Sequence, residues 1–207
     1  MAFPTDDHQL IRRAMDGDER SLDQVLRHWT PQIVSWCRRL SGPRVDPDDV
    51  FQEVVEKVIT RMDTLREPAA FPGWLFQVVR SQANRQRRRA WVRKVTGWFE
   101  GQPEGPAKGA SPERHADLGE TSLQVMAVLD RIPDEQRDIL VLCFIEDRSQ
   151  AEVAELLGLP VGTVKSRIRL ARSHFIREAK RVSPDLAAPP EPSDDAYGGL
   201  LWTTSTP

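Results

Sequence analysis

Hydrophobic residues along this chain recur at spacings of three and four in several separate stretches. Such spacing places apolar side chains on one face of an α-helix. No stretch shows the strict alternation of apolar and polar residues that a half-buried β-strand requires. The pattern therefore predicts an all-α protein, with a first group of helices over residues 7–95 and a second group over residues 121–182.

Turn-forming residues divide both groups into short helices. In the first group, breaks are predicted at residues 16–18, 41–43 and 67–68. Pro31 is predicted to kink or break the second helix. Asp46 is predicted to cap the third helix, with Pro47 at the first helical position. The fourth helix is predicted over residues 71–89. In the second group, helices are predicted over residues 121–130, 134–145, 149–157 and 161–181.

Two segments are rich in glycine or proline. Residues 96–120 contain five Gly and three Pro, so they are predicted to form a flexible linker between the two groups. Residues 183–207 contain five Pro, four acids and no base, which predicts an acidic and mostly disordered tail. The apolar cluster at residues 200–202 leaves a second interpretation open, in which the tail folds back on a basic face and restrains activity.

Residues 150–172 have the pattern of a helix-turn-helix. Gly158 falls where the turn needs a positive φ, and Ala154 falls where two helices must cross closely. Pro160 pre-sets the first turn of the next helix. That helix has one apolar face, formed by Val164, Ile168, Ala171 and Phe175. A second face is basic and polar, formed by Lys165, Ser166, Arg167, Arg169 and Arg172. This pattern favours insertion into the DNA major groove over a merely solvated face.

The predicted fourth helix ends in a run of basic residues. Residues 77–94 contain seven Arg or Lys and no acid, which is more than a helix C-terminus needs to complement its dipole. We interpret this run as a phosphate-binding surface. Trp91 and Trp98 could stack on unpaired bases, but packing roles are favoured for both.

Acidic residues crowd the start of the predicted third helix. Acids at a helix N-terminus stabilise it, whereas like charges four residues apart, as at Asp49 and Glu53, are unfavourable. From these residues alone, a stabilised helix start and a docking site for a basic partner protein are both open.

Composition argues against several classes of function. Cys37 and Cys143 have neither disulfide nor zinc spacing, so we expect buried, reduced thiols. No metal-ligand spacing, phosphate loop or catalytic constellation is found, which predicts no metal, no cofactor and no enzymatic activity. The chain shows neither a signal peptide nor a membrane-length apolar run. A cytoplasmic protein with no membrane insertion is therefore expected.

These segments, in this order, resemble an extracytoplasmic-function (ECF, group 4) sigma factor of the sigma-70 family. The resemblance is carried by DPDDVFQEVVEKV at 46–58, by FPGWLFQVVRSQANRQRRR at 71–89, and most specifically by IPDEQRDILVLCFIEDRSQAEVAELLGLPVGTVKSRIRLAR at 132–172. It implies a sigma-2-like domain over residues 7–95 and a sigma-4-like helix-turn-helix domain over residues 121–182, joined by the linker.

The resemblance implies a role for each domain in promoter-specific transcription initiation. The first domain would bind the clamp helices of core RNA polymerase through Asp46, Asp48, Asp49, Gln52 and Glu53. It would recognise and open the −10 element through Trp74, Arg80, Ser81, Asn84, Arg85, Arg88 and Arg89. The second domain would read the −35 element through Lys165, Ser166, Arg167, Arg169 and Arg172, beside the polymerase flap. An anti-sigma factor is a further expected partner.

The chain departs from the family pattern at several positions. Ser81 stands where Asn is usual, and Arg85 stands where Asp or Asn is frequent, both near the flipped −10 base. Leu170 replaces a usual Arg in the recognition helix. These three changes bear on promoter preference. Asp147 and Arg148 replace a glycine-led turn, which we expect the fold to survive because Asp tolerates turns.

Two other classes of function remain open on the sequence alone. A stand-alone helix-turn-helix regulator would bind operators without polymerase, usually as a dimer. A sigma mimic would sequester an anti-sigma factor without touching DNA, and the intact basic stripe argues against it.

Overall fold

The computed structural model describes residues 5–96 and 120–182. The chain divides into two compact units, the first built mainly on residues 5–96 and the second mainly on residues 120–182. Every regular element in these two ranges is helical, which confirms the all-α prediction. Residues 97–119 of the predicted linker, with Trp98 among them, and the acidic tail lie outside the described residues. No helix in the described part of the chain is long and apolar enough to cross a membrane.

The first unit contains four helices. They are α1 (Thr5–Met15), α2 (Glu19–Ser41), α3 (Pro47–Arg61) and α4 (Phe71–Thr96). Short 3₁₀ turns at Met62–Thr64 and Pro68–Ala70 connect α3 to α4. The predicted breaks agree with these bounds. Two details differ, since α2 continues through Pro31 without a break and α4 extends beyond residue 89.

Long α2 is the centre of the first unit, because it packs against α1, α3 and α4. Its buried tryptophans meet phenylalanines of α4 edge to face: the ring centroids of Trp36 and Phe76 are 5.1 Å apart, and those of Trp29 and Phe71 are 5.4 Å apart. Each fully buried side chain of this size contributes about 1.5–3 kcal/mol. Helix α2 therefore fixes the positions of both α3, with the predicted polymerase contacts, and α4, with the predicted −10 contacts.

Helix α3 begins as the sequence predicts. The Asp46 carboxylate accepts a hydrogen bond from the Asp48 backbone N–H at 3.0 Å, and Pro47 is the first helical residue. Asp18 caps α2 in the same way, by accepting from the Arg20 N–H and the Ser21 hydroxyl. A hydrogen bond from Ser21 is the main reason that the pKa of the Asp18 carboxyl lies below its usual range.

The range 120–182 contains α5 (Glu120–Leu129), α6 (Asp134–Leu140), α7 (Gln150–Leu157) and α8 (Val161–Val182). Helices α5 and α6 both pack on α8, whose buried stripe consists of Val164, Ile168, Ala171 and Ala179. The predicted helix over 134–145 is α6 followed by one π-helical turn, Val141–Ile145, in which the Glu146 N–H bonds to the Val141 carbonyl at 3.0 Å.

Candidate nucleic-acid interface

Helix α7 begins with a reciprocal capping box. The Glu152 N–H donates to the Ser149 hydroxyl oxygen at 3.2 Å, and the Glu152 carboxylate accepts from the Ser149 N–H at 2.9 Å and from its hydroxyl at 2.8 Å. These bonds hold the pKa of the Glu152 carboxyl below its usual range. The signal was present in the sequence as Ser-x-x-Glu, a known helix-start pattern.

The turn before α8 has the geometry that the sequence predicts. Gly158 has φ +64°, and the Leu159 N–H reaches back to the Ala154 carbonyl at 2.9 Å. The Pro160 carbonyl then accepts from the backbone N–H groups of Thr163 and Val164 at 2.9 and 3.1 Å. These bonds fix the direction in which α8 leaves the turn.

The segment before α7 contains the departure predicted at Asp147. This residue has φ +51°, and among described residues other than glycine it alone has a positive φ. Asp is one of the few residues that enter this region at a modest cost. Next to it, the Arg148 Nε lies 3.2 Å from the Glu146 carboxylate. The aspartate thus replaces the usual glycine without loss of the turn.

Helix α8 separates apolar and basic surfaces. Val164, Ile168 and Ala171 are buried, as predicted, whereas Lys165 and Arg169 are exposed. Arg172 is half-buried, as is Phe175. The exposed side chains Lys165, Ser166, Arg169 and Leu170 form a surface that we name the outer face of α8.

Arg167, another predicted DNA contact, lies against the helix that precedes the motif. Its guanidinium is 3.4 Å from the carboxylate of Glu135 in the first turn of α6. This ion pair is partly solvated, so its contribution to stability is small, about 0–1 kcal/mol. It gives the Arg167 side chain an acidic neighbour within the protein.

The predicted −10 residues divide into exposed and buried groups along α4. Ser81, Arg85 and Arg88 are exposed at spacings of four and three, so they share one ridge. Asn84 is only 8% exposed, which turns it toward the protein interior. Arg89 is exposed and lies beside α3.

Two of the predicted −10 residues contact neighbours at the start of α4. Trp74 is half-buried, with its ring centroid 5.8 Å from that of Phe71. Half-buried Arg80 donates to the Gln77 side-chain oxygen at 3.3 Å. Farther along the helix, Trp91 is 58% exposed among the described residues, so the packing role favoured for it is not found there.

The predicted polymerase-binding residues of α3 also divide. Asp48, Asp49 and Gln52 are exposed, and half-buried Asp46 caps the helix. Glu53 instead lies against α4.

Glu53 joins α3 to the basic end of α4. Its Oε1 accepts a hydrogen bond from the Gln86 side-chain amide at 2.8 Å and lies 3.5 Å from the Arg89 guanidinium. Only 26% of the Glu53 side chain is exposed. Sequence reasoning assigned Glu53 to the partner surface because the pattern of α3 does not reveal which residues of α4 lie opposite.

The two thiols are protonated at neutral pH. Burial raises the pKa of Cys37 to about 12, with a smaller effect from the Asp48 carboxylate, and burial raises that of Cys143 to about 11. Neither forms a disulfide. Within residues 5–96 and 120–182, no cluster of three acidic, His or Cys side chains is arranged to hold a metal ion.

Sequence comparison finds two regions of one protein family in this chain. Sigma-70 region 2 matches residues 25–93, and Sigma-70 region 4 matches residues 122–175. The first match covers α3 and most of α2 and α4, and the second covers α6, α7 and most of α5 and α8. The presence of region 2 disfavours a stand-alone helix-turn-helix regulator, for which region 4 alone would suffice.

Curated relatives agree with this match, and a solved structure has a similar fold. The chain is 30% identical over 173 residues to the ECF RNA polymerase sigma factor SigM of Mycobacterium tuberculosis, covering 83% of each protein. It is 31% identical over 167 residues to ECF sigma factor SigE of Mycolicibacterium smegmatis, covering 77% of this chain and 63% of that one. The fold resembles that of sigma factor RpoE, solved with the anti-sigma factor NepR from Bartonella quintana: 22% identity, TM-score 0.51, and coverage of 76% and 96% of the two chains.

The matches to sigma-70 regions 2 and 4, in a chain of helical units with a helix-turn-helix, define a protein of the sigma-70 class. More narrowly, the chain belongs to the ECF RNA polymerase sigma factors, which direct promoter-specific transcription initiation.

Proposed function

We propose that the second unit reads the −35 element as duplex DNA while the first unit binds core polymerase and opens the −10 element. The observation that carries this proposal is the division of α8 into a buried apolar stripe and an exposed face bearing Lys165 and Arg169. A helix with this division can pack on its own unit and enter the major groove at once. The protein acts by binding, in the cytoplasm, and not by catalysis.

The contacts differ in kind between the two units. On α8, Lys165, Ser166 and Arg169 face base edges, and Arg172 holds phosphate. On α4, the exposed ridge of Ser81, Arg85 and Arg88 meets the melted −10 strand. The remaining −10 candidates, Trp74, Arg80, Asn84 and Arg89, support that ridge from half-buried, buried or paired positions.

Polymerase binding is assigned to the exposed acidic surface of α3, formed by Asp48, Asp49 and Gln52. Carboxylates grouped on one helix suit a basic partner, here the clamp helices of the largest polymerase subunit, and the second unit lies beside the flap. An anti-sigma factor is a further partner, by similarity to the RpoE protein solved with NepR.

Transcription with purified core polymerase tests the proposal. The full chain should direct initiation from a selected promoter. In K165A/R169A, −35-dependent initiation should weaken by roughly 5- to 150-fold for each side chain that no longer reaches a base edge. The matched control is Arg27→Ala, which removes an exposed arginine of α2 that pairs with Asp23. No promoter-specific initiation by the unaltered chain would refute the function.

Charge reversal in α3 separates a sigma factor from an independent regulator. Asp49→Lys should abolish capture of core polymerase while leaving the helical circular dichroism spectrum unchanged. The control is Asp63→Lys, at an exposed acid outside the acidic surface. Operator binding at full affinity without polymerase, together with no capture of core polymerase by the unaltered chain, would favour the regulator.

A further inference from the structure

An exposed apolar side chain lies within the polar outer face of α8. Leu170 is 49% exposed, one helical turn beyond Ser166 and next to Arg169. Single exposed leucines are common on protein surfaces, so exposure alone assigns no role. Leu170, however, lies on the outer face of α8, which is proposed to enter the DNA major groove. A group in that groove is therefore a candidate ligand for its exposed isobutyl group.

The polar neighbours of Leu170 use their hydrogens within the helix. The Ser166 hydroxyl donates to the Thr163 carbonyl at 2.9 Å, and the Ser173 hydroxyl donates to the Leu170 carbonyl at 2.7 Å. Arg167, three residues before Leu170, lies 3.4 Å from Glu135. The surface around Leu170 therefore presents carbon atoms and acceptor oxygens, whereas the cationic donors Lys165 and Arg169 lie along the other flank of the face.

Such a surface selects among the groups in the major groove. The N7 acceptor of purines and the O6 acceptor of guanine need donors, which this part of the helix directs inward. The thymine C5-methyl group is the apolar feature of the groove, and apolar side chains contact it favourably. We propose that Leu170 packs on the C5-methyl group of a thymine in the −35 element and so determines specificity at that base pair. This inference rests on the proposed −35 role of α8.

Replacement of thymine by deoxyuridine tests the contact, because it removes the methyl group and keeps base pairing. The full chain, bound to core polymerase, first selects a duplex from a pool randomised across the −35 region. Each thymine of the selected element is then replaced singly by deoxyuridine, and the dissociation constants are compared. At one position we expect about four-fold weaker binding, which corresponds to the burial of one methyl group.

Two variants identify the residue responsible. Leu170→Ala should bind the thymine and deoxyuridine duplexes equally, and it should fold normally because alanine is a strong helix former at an exposed site. Val161→Ala is the matched control: Val161 is another exposed apolar residue of α8, about two and a half turns away and therefore on another side of the helix. Val161→Ala should keep the four-fold difference.

The outcomes distinguish this inference from the function on which it rests. If no deoxyuridine substitution weakens binding while K165A/R169A still does, then α8 reads the −35 element without a methyl contact and the inference is wrong. The inference is also wrong if Leu170→Ala keeps the four-fold difference between the thymine and deoxyuridine duplexes. It is equally wrong if Val161→Ala loses that difference. If no duplex is selected from the random pool, the −35 role itself fails.

Discussion

Replacing Glu53 with alanine is expected to destabilise the first unit by about 2 kcal/mol. The hydrogen bond from the Gln86 amide to this carboxylate, at 2.8 Å, is worth about 1.5–3 kcal/mol, with the lower part of that range appropriate to a side chain that is one quarter exposed. The 3.5 Å pair with half-exposed Arg89 adds at most about 1 kcal/mol. Helix α4 loses these two contacts with α3 in this variant.

A side-chain exchange separates this contact from a general effect of mutation. In E53Q/Q86E the amide and the carboxylate change places, so the hydrogen bond can form again, and the carboxylate at position 86 lies three residues from Arg89 on the same helix. Each single variant should lose about 1 kcal/mol, and the exchange should return to within about 0.5 kcal/mol of the natural chain.

Urea unfolding followed by tryptophan fluorescence measures these differences, and capture of core polymerase is measured in parallel. Glu53→Ala should lose stability, whereas Asp49→Ala, at an exposed acid of the same helix, should keep stability and lose polymerase affinity. Additive losses in E53Q/Q86E would refute the contact. Full stability of Glu53→Ala with loss of capture would return Glu53 to the partner surface.

Three further predictions concern the second unit and the thiols. Asp147→Val should be less stable than Asp147→Gly by about 1–2 kcal/mol in urea unfolding, because a β-branched residue is strained at φ +51°, and equal stability would contradict this. Ser149→Ala should cost about 1 kcal/mol at neutral pH through loss of the cap. That difference should shrink in acid, because the pKa of the Glu152 carboxyl is lowered in the folded state: its stabilising effect is fully present above the unfolded pKa and is lost as the pH falls through the folded value. A difference independent of pH would exclude the hydrogen bond from the Ser149 hydroxyl to the Glu152 carboxylate. Cys37 and Cys143 should be alkylated slowly by iodoacetamide at neutral pH relative to free cysteine, with mass spectrometry as the measurement, since both thiol pKa values are raised.

Local signals in the sequence predicted much of this fold. The Asp46 cap, the left-handed Gly158 and the buried stripe of α8 each depend on residues within a few positions of one another, so spacing alone identifies them. Asp147 belongs to the same class, because the turn restricts its φ locally. The capping box at Ser149 was equally local and was missed, although its pattern is visible.

The sequence did not reveal which side chains meet between helices. Glu53 and Gln86 are 33 residues apart, and no periodicity of α3 indicates that α4 lies opposite with its amide in reach. The burial of Asn84 also depends on contacts between helices. Its position in a basic run suggested exposure, yet the packing of α4 buries it. Of the kink or break predicted at Pro31, the break is not found: α2 continues through it with buried residues on both sides, Trp29 and Ile33. Tertiary packing decided each of these cases.

The pairing of Arg167 with Glu135 has a consequence for the salt dependence of DNA binding. A cationic side chain that neutralises a phosphate displaces condensed counterions, and the slope of log affinity against log salt counts such displacements. Arg172, the proposed phosphate contact, would contribute close to one unit. Arg167 must first leave the Glu135 carboxylate, which then gathers its own cation from solution. The Glu135 carboxylate thus acts as a counterion supplied by the protein itself. Glu135→Gln should therefore make the slope of log affinity against log salt steeper.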